Sequence, residues 1–108
     1  MHSLKYQKQK NKILSNTPQE NIIMLFERML LLTNKTKKFI IEDDIENKVI
    51  CINKIIDILT TLINFTKDDY FIALYTYQIH KISFININNS IKDINHLIDI
   101  NKKILSFI

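Results

Sequence analysis

The chain has 108 residues, a formal net charge of +4, no glycine, one proline and one cysteine. That length sets one domain. The single cysteine, Cys51, excludes an internal disulfide and fits a reducing cytosol, and the lack of glycine excludes a phosphate-cradling loop and a dinucleotide fingerprint.

Apolar residues make up 46% of the chain, enough for a core. Uninterrupted apolar runs such as Ile22 to Phe26 are far below the ~18–20 residues of a membrane span. The opening Met-His-Ser-Leu-Lys lacks the apolar segment of a secretory signal. Isoleucine, asparagine and lysine are heavily used, as A/T-rich codons would produce. Isoleucine is therefore discounted as a strand signal and asparagine as a helix breaker.

Residues 1–16 read as a basic arm or one short helix, ahead of a bundle over residues 17–108. Lys5, Lys8, Lys10 and Lys12 account for the net charge, and no acid precedes Glu20. A nucleic-acid face would place its cations on a folded surface with arginine prominent. With one arginine, Arg28, the arm reads as solvated lysine and no nucleic-acid partner is expected.

Thr17-Pro18-Gln19-Glu20 is a helix start. Thr17 can cap, Pro18 suits the first helical position, and Glu20 is the capping-box acid. Ile22, Leu25, Phe26, Met29, Leu30 and Leu32 give this first helix an inner face to about residue 40, with Asn34 to Lys38 as its wet end. Asp43 or Asp44 caps the second helix, about 45–64. There Ile45, Val49, Ile52, Ile56, Leu59 and Ile63 step by 4, 3, 4, 3 and 4, an amphipathic signal. Cys51, between Ile50 and Ile52, reads as an inert core thiol.

Asp68 or Asp69 caps the third helix, about 69–88, which stops at Asn88-Asn89 in place of the usual glycine. Ser90 and Asp93 form a capping box for the fourth, about 91–107, whose inner face is Ile94, Leu97, Ile98, Ile104 and Leu105. Four helices joined by short connections predict an all-α, antiparallel up-and-down four-helix bundle.

The third helix differs from the others. At about 100° per residue, Ile72, Tyr75, Ile79, Ile82 and Asn86 form one stripe. Ala73, Tyr77, His80, Phe84 and Ile87 form a second, roughly opposite. A bundle helix needs only one apolar face, and this chain is too short to bury one helix on every side. The second stripe therefore reads as a docking surface.

Catalytic and metal chemistry find little support. His2, His80 and His96 have no zinc-ligand spacing, and inward-facing Glu-x-x-His pairs are absent. Glu42, Asp43, Asp44 and Glu46 cluster at a helix start, where capping and the helix dipole account for them. No metal, cofactor or enzymatic activity is expected.

Several anchors also stand in order along the chain. Tyr6, Gln7 and Gln9 lie in the arm. Thr17-Pro18-Gln19-Glu20-Asn21 and Met24-Leu25-Phe26-Glu27-Arg28 lie in the first helix. Ile52, Lys54, Ile56 and Leu59 lie in the second, and Leu74-Tyr75-Thr76-Tyr77, Ile82 and Ile85-Asn86 in the third. In this order and spacing, over about residues 6–105, the chain resembles the flagellin export chaperones of bacterial flagella, the FliS-type secretion chaperones.

The resemblance implies a cytosolic antiparallel bundle that binds the disordered, polymerisation-prone C-terminal segment of flagellin. It implies a chaperone that keeps flagellin monomeric and delivers it to the export gate. It also implies partner-binding roles for Leu74, Tyr75 and Asn86. Tyr6 holds the position of an arm tyrosine that, in the family, folds over the groove and helps recognition at the gate. Ala73, Tyr77 and Phe84 join the expected partner-binding set from the second stripe itself. The competing reading is an interaction module that homodimerises through the third helix.

Overall fold

The computed structural model describes residues 18–108. Four helices carry them: α1 (Pro18–Ile41), α2 (Ile45–Phe65), α3 (Asp69–Asn88) and α4 (Ile91–Phe107). Each helix packs on its neighbour in sequence, and α4 closes the ring against α1. Connections of two or three residues leave no room for a crossover, so consecutive helices run antiparallel. This is the up-and-down bundle that the apolar periodicity predicts. The arm over residues 1–16, with Tyr6, and the capping residue Thr17 lie outside the described residues.

The helix starts are set by side chains. Asp44 accepts from the backbone N–H of Asn47 at 3.2 Å, and its second oxygen from the Asn47 side-chain amide at 2.7 Å. Asp68 accepts from the N–H of Tyr70 at 2.9 Å. Ser90 Oγ accepts from the N–H of Asp93 at 3.2 Å. Each contact satisfies a donor that the first helical turn leaves unpaired.

Two of the stops use left-handed residues, with no glycine available to supply them, while α2 ends at Thr66 in extended backbone. Asp43 is the left-handed residue after α1, with φ 56°. The N–H of Asp44 reaches the carbonyl of Phe39 at 2.9 Å, and that of Asp43 reaches Ile40 at 3.2 Å. This is the paired pattern of a Schellman stop. Asn89 is the left-handed residue after α3, with φ 54°, and makes the simpler single-bond stop, its N–H on the carbonyl of Ile85 at 2.8 Å.

The core is continuous through all four helices. Phe26, Met29, Ile52, Ile55, Leu59, Ile82, Ile85 and Ile94 are almost wholly buried, each contributing about 1.5–3 kcal/mol of transfer free energy. Cys51 is buried among them, and burial pushes its thiol above its ordinary value.

Two details of the periodic reading are corrected. The stretch from Asn34 to Lys38 is not uniformly wet, because Thr36 is fully buried. Its hydroxyl donates to the carbonyl of Leu32 at 2.8 Å, which satisfies the polar atom and lets the methyl face the core. Thr33 does the same on Met29 at 2.7 Å. Ile45, placed on the inner stripe of α2, is exposed instead, since the first position of the helix lies past the end of the packed core.

Candidate docking surface

The site grows from the two faces of α3. Tyr75, Gln78, Ile82 and Ile85 are buried. Ile72, Ile79 and Asn86 are half-buried beside them, Asn86 in contact with Lys48 of α2. Against this inner face, Ala73, Tyr77, His80, Phe84 and Ile87 are all exposed. Tyr77 is 43% exposed, Phe84 48% and Ile87 80%, and Tyr70 extends the same ridge at 72%. At 1.5 Å per residue, the ridge from Tyr70 to Ile87 is roughly 25 Å long. Isolated exposed apolar residues are ordinary, but an aligned row along one helix marks a contact surface.

The ridge is held from both sides. Lys81 pairs with Asp93 of α4 at 3.3 Å, and its ammonium sits 5.8 Å from the centroid of the Phe84 ring. The Ser90 hydroxyl, then Lys81, hold the Asp93 carboxyl below its ordinary value. On the other side, Lys48 of α2 donates to the carbonyl of Asn86 and to Oδ1 of Asn89, both at 2.8 Å.

The sequence-derived site residues separate into groups. Ala73, Tyr77 and Phe84 lie together on the outer ridge. Leu74 is half-buried, and Asn86 is half-buried at the α2 side. Tyr75 is buried, its ring 6.1 Å from both Phe26 and Phe71. Burial raises its phenol above the ordinary value. Tyr6 lies outside the described residues.

A second apolar surface was not anticipated. A groove of about 940 Å³ opens at the end of the bundle where α1 and α3 begin and α2 and α4 finish. Ile22, Leu25, Phe65, Phe71, Tyr75 and Ile108 are among its walls. It joins the ridge through a chain of rings. Tyr70 packs edge-on against Phe71 at 5.5 Å, and Phe71 leads through Tyr75 to Phe26. No periodicity reveals such a groove, because it is built from the ends of four separate helices. The one available signal was the pair of aromatics, Phe65 and Phe71, flanking a three-residue turn.

The described residues form a four-helix bundle with an uncovered aromatic ridge, and no helix among them is long and apolar enough to cross a membrane. The comparisons narrow the class. The family described as Flagellar protein FliS matches residues 1–106. A Flagellar secretion chaperone FliS from Campylobacter jejuni subsp. jejuni serotype O:6 (strain 81116 / NCTC 11828) is 33% identical over 97 residues, covering 82% of this chain and 75% of the relative. The chain belongs to the FliS family of flagellar secretion chaperones.

Proposed function

We propose that the protein is a cytosolic chaperone for flagellin. It binds the disordered C-terminal segment of the newly made client, holds it back from polymerising and hands it to the export gate. The observation that carries this reading is the exposed ridge of α3 in a chain of the secretion-chaperone family. A disordered amphipathic segment can fold into a helix against such a surface, with anchors at i, i+3, i+4 and i+7. The work is binding and release, with no chemical step.

Ala73, Tyr77 and Phe84 are the direct contacts in this account. Leu74 and Asn86 border them, and Tyr75 supports the ridge from within and forms part of the groove wall. Tyr6 is carried over from the family position as a residue that helps recognition at the gate. Burying the ridge supplies roughly 25 cal/mol per Å² of apolar area, less the cost of ordering the client.

The test is to titrate a flagellin C-terminal peptide into the protein. A 1:1 complex with measurable heat and a gain of helical circular dichroism is expected. Phe84→Asp should weaken it about tenfold or more, since one buried aromatic is worth about 1.5–3 kcal/mol. Additive spectra with no heat would remove the reading. A homodimer in light scattering that Phe84→Asp abolishes would replace it with self-association through α3.

A further inference from the structure

Lys48 is a buried lysine, only 5% exposed, and no carboxylate pairs with it among the described residues. Taking an ammonium out of water is costly unless other groups solvate it. Here the solvating groups are the end of another helix. The ammonium donates to the backbone carbonyl of Asn86 and to the side chain of Asn89, both at 2.8 Å. The C-terminus of a helix carries partial negative charge, so a cation is favoured there.

The contact completes a set. A helix leaves its last carbonyls without partners in the helix. In α3 the carbonyl of Ile85 takes the N–H of Asn89 at 2.8 Å and that of Asn86 takes Lys48 Nζ. Of these two donors, Lys48 is the one that comes from outside α3 and its stop. It also holds the side chain of Asn89, the residue whose left-handed backbone ends the helix. That turn carries Phe84 and Ile87, the two exposed apolar residues at the C-terminal end of the ridge.

We propose that Lys48 is a positioning residue for the client surface. It never touches the client. It clamps the last turn of α3 to α2 and thereby sets the direction in which Phe84 and Ile87 project. This inference rests on the docking reading above, and the test separates the two.

The measurement is the affinity for a flagellin C-terminal peptide, read by calorimetry on the full chain well below each variant's melting temperature. Lys48→Met keeps the length and removes the charge. It should weaken binding about fivefold to tenfold, as expected for coupled neighbours. Combined with Phe84→Ala, it should add less than about twofold to the loss caused by Phe84→Ala alone, because Lys48 acts through that turn. Combined with Tyr70→Ala, at the far end of the ridge, the two losses should multiply.

Losses that multiply at both ends would make Lys48 a general stabiliser and overturn the inference. A Phe84→Ala protein that binds as tightly as the parent would remove the docking reading, and the inference with it. Should Lys48→Met fail to fold, Asn89→Gly takes its place in the same cycle. It preserves the left-handed turn and deletes one of the two Lys48 acceptors, so the same pattern is expected at about half the effect in logarithmic terms. Multiplication with Phe84→Ala in that variant would again overturn the proposal.

Discussion

Asn101 of α4 donates its side-chain amide to Oε1 of Gln78 on α3 at 2.9 Å, in the middle of the bundle. Both residues are buried, and the remaining atoms, Gln78 Nε2 and Asn101 Oδ1, have no partner among the described residues. The pair therefore makes one hydrogen bond and leaves a donor and an acceptor unmet in a low-dielectric seam. A single buried polar pair of this kind sets helix register at a cost in stability.

Replacing one partner alone should be the harmful change. Asn101→Leu strands the Gln78 amide, for a loss of about 1–3 kcal/mol. Gln78→Met together with Asn101→Leu should recover most of that loss or exceed the parent's stability. Urea denaturation of the three variants checks this. A double variant as unstable as the single one would show that the packing, not the amide pair, decides the seam.

Asp43 offers a stabilising change. Its backbone is left-handed at φ 56°, a conformation disfavoured by roughly 1–2 kcal/mol for residues with a Cβ. Glycine removes that cost but gains freedom in the unfolded chain. Asp43→Gly is expected to stabilise by about 0.5 kcal/mol, and Asp43→Val to destabilise by more than that. Thermal melts of both variants give the answer, and equal melting temperatures would contradict the geometry at this stop.

Stability should depend on pH at both extremes. The Cys51 thiol and the Tyr75 phenol are both raised by burial. The unfolded chain therefore releases these protons first, and stability declines as the pH climbs past their ordinary values. Asp93 is lowered, first by its hydrogen bond with Ser90 and then by Lys81. Its contribution is present above the ordinary carboxylate range and fades as the pH falls through it. Asp93→Asn should flatten the acid limb, and Cys51→Ala should lessen the alkaline one. Denaturation midpoints across pH provide the check, and limbs unchanged in both variants would contradict it.

The bundle was readable from residues because its signals are local. Asp44, Asp68 and Ser90 announce helix starts by their chemistry, and the 4-3-4 spacing of α2 leaves one inner face. The outer stripe of α3 was readable for the same reason, since Tyr77 and Phe84 cannot share a face with Tyr75 and Ile82. What escaped were partners distant in sequence. Lys48 reads as a surface charge until the end of α3 arrives beside it, thirty-eight residues later. Gln78 and Asn101 read as ordinary polar positions until α4 folds back. The end groove leaves only the aromatics Phe65 and Phe71 as a mark in the sequence, because its walls are helix termini that only the turns bring together.

The most direct measurement of the central claim is site-specific cross-linking. A photo-reactive phenylalanine is placed at Tyr77 on the outer ridge, or at the exposed Lys35 on α1, and irradiated with a flagellin C-terminal peptide. The account predicts a 1:1 adduct with the peptide from position 77 and none from position 35. An adduct from position 35 alone, or a chaperone–chaperone product from position 77 with the peptide untouched, would contradict it.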